Sequence, residues 1–81
     1  MIPADVKVEI VLSAVRTELE KAVKKHASMH SFHEGYAVIL EELDELKEQV
    51  WKQTEARDLK EMRKEALQVA AMALRFVVDL L

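Results

Sequence analysis

The 81-residue sequence contains no cysteine, one glycine and one proline, and aromatic residues make up only 5% of it. Without cysteine the chain can form neither a disulfide nor a thiolate metal site. A content of 51% apolar and 33% charged residues is typical of a helical bundle and not of a disordered tail or a β-sandwich. A chain this short buries only about 60% of the surface that its unfolded form exposes, so association is the remaining route to stability.

An excess of positive charge and a long apolar run are also missing. The net charge of −3 argues against a nucleic acid polymer as partner, because basic surfaces bind polyphosphates. The longest uncharged stretch in the last third, residues 66–74, is cut by Arg75 and is too short to cross a bilayer. Asp5, Lys7 and Glu9 leave no room for an apolar signal segment near the start. We therefore expect a cytoplasmic protein without a membrane partner.

Apolar residues recur at helical spacing in three segments, which together predict one all-α domain over residues 1–81. The first helix is expected over about 3–27, because Pro3 suits a first helical turn. Ser31 with Glu34, and Asp58 with Glu61, have capping-box spacing and predict helix starts for segments of about 31–52 and 58–81. The short connection between these two segments favours an antiparallel pair.

The third helix carries apolar side chains around more than half of its circumference. A helix that packs on one side needs only a stripe about 100° wide, so an arc this broad needs neighbours on two or more sides. Two other short helices do not supply them. The sequence therefore predicts that the three-helix subunit assembles into a helical-bundle oligomer; the alternative is a monomer with an unusually apolar last helix.

Acidic residues concentrate in the second helix. Glu42 and Glu45 are three positions apart, so their carboxylates are neighbours on the helix surface and repel one another unless a cation lies between them. In an antiparallel hairpin that turns near residue 55, Glu45 stands at the height of Glu65 and Glu42 at the height of Gln68. Three carboxylates and an amide oxygen around one point are ligands that suit Mg²⁺ or Mn²⁺. The alternative is a solvated acidic face, which is what most charge runs are.

These two motifs carry a family resemblance. The sequence ELDE at residues 42–45, followed by EALQ at 65–68, resembles the MazG-like all-α nucleoside triphosphate pyrophosphohydrolases, whose pattern is E-x-x-E on one helix and E-x-x-D on the next. The segments HEGYAV before the first motif and QVAAMA at the end of the second are also similar to that family. The resemblance covers residues 31–81.

The resemblance implies hydrolysis of a (deoxy)nucleoside triphosphate to the monophosphate and pyrophosphate, with Mg²⁺ or Mn²⁺ as cofactor. It implies Glu42, Glu45 and Glu65 as the catalytic metal ligands, Gln68 as a weaker fourth ligand, and a dimer or tetramer of helical subunits. Gln68 stands where the family has Asp, and an amide oxygen brings no charge, so metal affinity should fall unless Glu61, Glu41 or Asp79 compensates.

The remaining candidates have structural alternatives. His26, His30 and His33 have spacings compatible with a Zn²⁺ site but straddle a predicted connection, where a polar loop or a nucleotide contact is the other interpretation. Phe32 and Trp51 suit stacking on a base, or packing in a core or interface. Lysine and arginine residues near the second connection suit phosphate contacts. Three hypotheses follow: a Mg²⁺-dependent pyrophosphohydrolase, a non-catalytic helical oligomer that binds nucleotide or a protein partner, and a purely structural oligomer.

Overall fold

A computed structural model describes all residues from 1 to 81 and contains three α-helices and no strand. They are α1 (Ala4–Lys25), α2 (Phe32–Val50) and α3 (Leu59–Leu80), with a 3₁₀ turn at Thr54–Ala56 between α2 and α3. The all-α prediction is confirmed, and the predicted ends of each helix lie within about two residues of the observed ones, the usual uncertainty of a helix boundary.

Side-chain caps explain where α2 and α3 begin. The Ser31 hydroxyl accepts a hydrogen bond from the Glu34 backbone N–H at 3.0 Å, and the Glu34 carboxylate accepts one from the N–H of His30 at 3.3 Å. At the start of α3, the Asp58 carboxylate accepts hydrogen bonds from the N–H groups of Lys60 and Glu61. These contacts satisfy backbone donors that have no partner inside the helix.

The third helix is the central element, since α1 and α2 both pack against α3 and not against each other. Five buried apolar residues form the core, and Ala71 of α3 has no exposed surface. The five are Val15, Ala22, Met29, Ala71 and Met72. Because α1 and α2 stay apart above α3, a cleft opens between them.

The start of α2 lies close to the end of α3. Gly35 is buried, and a Cβ atom at this position would stand 2.6 Å from the Phe76 ring and 2.9 Å from a methyl carbon of Leu80. The rings of Phe32 and Phe76 have their centroids 6.1 Å apart. The single glycine of the chain therefore permits this close approach of the two helices.

Arg75 is charged, yet its side chain is buried against the end of α1. Its residue surface is only 3% exposed. The guanidinium donates to the backbone oxygens of Ala22, His26 and Ala27 at 2.7–3.0 Å. The carbonyls of His26 and Ala27 lie just beyond the end of α1, where helical donors are lacking, so the buried cation satisfies them. The Ala22 oxygen accepts from Arg75 in addition to the His26 N–H.

Asp79 completes this arrangement. One carboxylate oxygen accepts from Arg75 Nε at 2.9 Å and from the Met29 N–H at 2.9 Å. The backbone hydrogen bond from Met29 lowers the pKa of Asp79, and the charge and hydrogen bond of Arg75 lower it further against the opposing effect of burial. The two side chains join the end of α1 and the following connection to α3.

Much apolar surface remains exposed. Only 7 of 81 residues are buried, and the N-terminal half of α1 exposes Val8, Val11 and Leu12. Val77 and Val78 near the end of α3 are exposed as well.

None of the helices combines the length and the apolar character that crossing a bilayer requires.

Candidate metal centre

Three carboxylates from two helices converge on one point between α2 and α3. Glu42 and Glu45 project from α2 and Glu65 from α3, and one carboxylate oxygen of each lies within 4.8 Å of the other two. Glu42 and Glu45 share a face of α2 because residues three apart are neighbours on a helix. The packing of α2 against α3 adds the third group. We call these three residues the carboxylate cluster.

The electrostatics of the cluster are unfavourable without a cation. Partial burial, together with the nearby charges of Glu45 and Glu65, raises the pKa of Glu42 from its usual 4.5 to about 7. Burial likewise raises the pKa of Glu65, together with a hydrogen bond to Glu45 and the charge of Glu45. Lys64 opposes this shift only in part. The cluster therefore holds more negative charge than its surroundings neutralise.

The oxygen positions suit a small divalent cation. Mg²⁺ is held at about 2.1 Å by oxygen atoms in an octahedron, so its ligands stand about 3 to 4.2 Å from one another. Carboxylate oxygens within 4.8 Å reach that spacing with small side-chain adjustments. Partly buried Glu42 and Glu65 also distinguish the cluster from a fully solvated acidic face.

Gln68 lies one helical turn beyond Glu65 on α3, and its amide is held by a residue of α1. Gln68 Nε2 donates a hydrogen bond to a carboxylate oxygen of Glu18 at 2.5 Å. Glu18 also pairs with Lys21, with 3.5 Å between the charged atoms. Glu18 was not among the residues predicted from the sequence, because nothing in the spacing of α1 indicates which of its turns meets α3 at the height of Gln68.

The cleft between α1 and α2 borders this cluster. Its volume is about 480 Å³, within the range of small-molecule sites. Glu42 and Gln68 line it on the side of the cluster, and Met72 and Arg75 of α3 form part of its floor. Its α1 wall carries Glu18, Lys21 and Lys25, and its α2 wall carries Glu34, Glu41 and Glu42.

The structure separates the three carboxylates that the sequence offers as substitutes for the missing Asp. The charge of Glu41 acts on Glu42, and that of Glu61 acts on Glu65, so both lie near the cluster. Asp79 is instead paired with Arg75 and Met29. It also lies fourteen residues beyond Glu65, which is about 21 Å along a helix. Asp79 is therefore excluded as a compensating ligand in this subunit.

None of the three histidines belongs to the carboxylate cluster. His30 pairs with Glu34 at 3.7 Å, whereas His26 lines the cleft and accepts a hydrogen bond from Arg75 through its backbone oxygen. Phe32 packs against Phe76. Trp51 is 75% exposed, so it is not a core residue of the subunit.

Comparison of the chain with protein-family models, characterised proteins and solved structures finds no match. What the carboxylate cluster does must therefore be inferred from its own geometry and chemistry.

Proposed function

We propose that the protein is a Mg²⁺-dependent pyrophosphohydrolase of the MazG-like kind, which converts a (deoxy)nucleoside triphosphate to the monophosphate and pyrophosphate. The observation that carries this proposal is the convergence of Glu42, Glu45 and Glu65 from two helices within 4.8 Å. The same residues form the two motifs that resemble the family. Nucleoside triphosphates and Mg²⁺ meet in the cytoplasm, which is the location the proposal implies.

Each side chain of the site would have a role that follows from its chemistry. Glu42, Glu45 and Glu65 would hold the cation through carboxylate oxygens, and the cation would offset their mutual repulsion. Gln68 would add a neutral oxygen, since its Nε2 is already engaged with Glu18. Bound Mg²⁺ supplies charge stabilisation for the phosphate oxygens and lowers the pKa of a coordinated water. Mn²⁺ prefers the same oxygen ligands.

The adjoining cleft suits the polar end of such a substrate. On its α1 wall, Lys25 can contact phosphate oxygens, and Lys21, which pairs with Glu18, adds positive charge beside it. The α2 wall is acidic. A free polyanion would be repelled by that acidic wall, but a phosphate group already complexed to a cation would not. This charge division supports a metal-bound triphosphate as the ligand class.

The proposal includes an antiparallel arrangement of α2 and α3. Two sets of contacts support it, because residues early in α2 meet residues late in α3 and the reverse holds further along. Gly35 lies against Phe76 and Leu80, whereas Glu45 lies near Glu65.

It also includes a homo-oligomer, a dimer or a tetramer. The subunit exposes 6317 Å², and a compact monomer of this mass would expose about 5,000 Å². The excess of about 1,300 Å² per chain is the size of one side of an obligate interface. Its radius of gyration of 14.0 Å also exceeds the roughly 12 Å of a compact 81-residue domain. The exposed apolar residues of α1 and α3 are the surface that a second copy would cover.

The catalytic proposal is tested by incubating the protein with the common (d)NTPs and Mg²⁺ or Mn²⁺ and measuring pyrophosphate. We expect pyrophosphate release, and we expect Glu45→Gln to reduce it at least 100-fold, in the range that loss of a charged catalytic group produces. Glu48→Gln is the matched control, because Glu48 is an exposed residue one turn further along α2. Equal activity in the Glu45→Gln variant and the wild type would refute the site.

The amide at position 68 favours a second candidate, a helical oligomer that binds nucleotide without turnover. With Gln68 the site has one carboxylate fewer than the family pattern, so it can retain ligand binding while losing rate. Calorimetry with Mg²⁺ and a non-hydrolysable nucleotide distinguishes the two candidates. Binding without any pyrophosphate release would favour this one over the hydrolase.

Light scattering tests the assembly. We expect the mass of a dimer or a tetramer at micromolar concentration, and Leu12→Glu should shift it towards the monomer, because Leu12 is exposed on the apolar face of α1. A folded wild-type monomer at that concentration would refute this part of the proposal.

A further inference from the structure

Glu18 and Gln68 form an unusual pair, because a carboxylate of α1 fixes the orientation of an amide on α3. An amide has one oxygen and one NH₂ group, and a carboxylate accepts but does not donate. Only the NH₂ group of Gln68 can therefore face Glu18, which agrees with the 2.5 Å distance from Nε2 to the Glu18 carboxylate. Glu18 therefore holds the amide nitrogen and leaves the amide oxygen for another partner.

Gln68 lies beside the carboxylate cluster, so the orientation of its amide bears on the proposed cation site. Gln68 follows Glu65 by three residues, so both lie on one face of α3, and Gln68 lines the cleft together with Glu42 of α2. The amide oxygen that Glu18 does not hold is therefore available on the face of α3 that carries Glu65. Glu18 itself is not one of the three groups whose oxygens converge.

We infer that Glu18 is a positioning residue that presents the Gln68 oxygen to the carboxylate cluster as a ligand. This inference rests on the proposed function, since it assigns Glu18 a role in the same cation site. The Glu18–Gln68 pair thereby substitutes for the carboxylate of the family pattern. The Glu18 side chain is only 24% exposed, and Lys21 lies 3.5 Å from its carboxylate, so the contact with Gln68 is partly buried and its charge is partly offset.

Glu18 should therefore support metal binding when residue 68 is an amide and oppose it when residue 68 is a carboxylate. Gln68→Asp alone would set two carboxylates against each other across the α1–α3 contact, so little gain in metal affinity is expected. With Glu18→Gln in the same chain, the new amide at position 18 donates to the new carboxylate at position 68 and the repulsion disappears. The two substitutions are therefore expected to be strongly non-additive.

The experiment measures Mn²⁺ affinity of the full chain by electron paramagnetic resonance, without nucleotide. We expect Glu18→Gln to weaken Mn²⁺ binding about tenfold, as loss of a residue that orients a ligand commonly does, because the new amide can donate to the Gln68 oxygen and withdraw it. Glu20→Gln, an exposed residue on the same helix, should bind like the wild type. The double variant Glu18→Gln/Gln68→Asp should recover wild-type affinity or exceed it.

Circular dichroism and light scattering establish that each variant keeps the helicity and the oligomer size of the wild type. Unchanged Mn²⁺ affinity in Glu18→Gln, with normal binding by the wild type, would overturn the inference and leave the proposed function standing. Additive effects of the two substitutions would overturn it equally. Absence of Mn²⁺ binding by the wild type would overturn both.

Discussion

Two groups of charged side chains lie along α3, and their surroundings have opposite effects on the pKa of their acids. Near its end, Arg75 and Asp79 satisfy each other and the backbone of α1 and its connection, so the pKa of Asp79 is lowered. About 15 Å nearer the start of the helix, by its rise of roughly 1.5 Å per residue, Glu65 meets two further carboxylates. There the pKa of Glu42 rises to about 7.

The contrast distinguishes an arrangement whose charges are satisfied within the chain from the site that we propose to bind a cation. Every strong hydrogen-bonding group of Arg75 has a partner within the chain, so nothing further is required there. The carboxylate cluster has the same sign of charge throughout, and Lys64 offsets that charge only in part. Perturbed acids in such an arrangement are typical of functional sites, because a ligand is needed to stabilise their charged form.

The largest effect is expected from Arg75→Ala. This substitution leaves Asp79 without its cation and the carbonyls of His26 and Ala27 without the donor that Arg75 supplies. The Ala22 oxygen loses one of its two donors and keeps the His26 N–H. Breaking a buried ion pair costs about 3–5 kcal/mol, which is a large part of the total stability of a domain this size. Urea unfolding followed by circular dichroism measures the loss, at one fixed protein concentration because association contributes to stability.

Arg63→Ala is the matched control for Arg75→Ala, since Arg63 is exposed on the same helix. Its expected effect is below about 0.5 kcal/mol. If both substitutions lower the free energy of unfolding equally, Arg75 stabilises the fold no more than an exposed charge does. The structural role assigned to Arg75 and Asp79 would then be wrong.

A smaller effect is expected from Asp79→Asn, and it should depend on pH. The lowered pKa of Asp79 means that its carboxylate stabilises the folded state above the usual value of 3.8, and that this contribution is lost as the pH falls through the folded value. At pH 7 the variant should have a lower Tm than the wild type. The difference should shrink towards pH 2, where both side chains approach neutrality; a constant difference would contradict the assignment.

Local sequence signals were sufficient to predict where the helices begin. Ser31 and Asp58 cap α2 and α3 as their spacing to Glu34 and Glu61 indicated, since a cap depends on atoms within four residues. Counting residues back from the turn also predicted that Glu45 and Glu65 lie close together, and their carboxylate oxygens lie within 4.8 Å of each other. Whether these residues bind a metal stays a prediction.

Contacts that depend on the packing of α1 could not be read in this way. Arg75 carries a charge, and charged side chains are seldom fully buried, so nothing in the sequence indicated its burial. Its burial results from the end of α1 lying against it, with carbonyl acceptors about fifty residues away along the chain. Glu18 meets Gln68 for the same reason. Such partners follow from the angle between two helices, which spacing within one helix does not specify.

The smallest effect concerns the carboxylate cluster, where Glu42→Gln should stabilise the metal-free protein. The raised pKa of Glu42 means that the folded state holds its proton more tightly than the unfolded state, so the wild type loses stability as the pH rises from 4.5 through about 7. Glutamine carries no charge and avoids this loss. With allowance for solvent screening of a partly exposed group, we expect a gain of about 1 kcal/mol at pH 8 in EDTA and almost none at pH 4.5.

Mg²⁺ should reverse that order at pH 8. A ligand that binds only the folded state stabilises it in proportion to the logarithm of its concentration, so saturating Mg²⁺ should raise the Tm of the wild type and leave Glu42→Gln nearly unchanged. Asp44→Asn serves as the control, because Asp44 is an exposed acid on the same helix and lies outside the carboxylate cluster. It should respond to Mg²⁺ as the wild type does. Equal Mg²⁺ responses in all three proteins would show that Mg²⁺ does not bind at the carboxylate cluster. The cluster would then differ from Arg75 and Asp79 only in how its side chains pack.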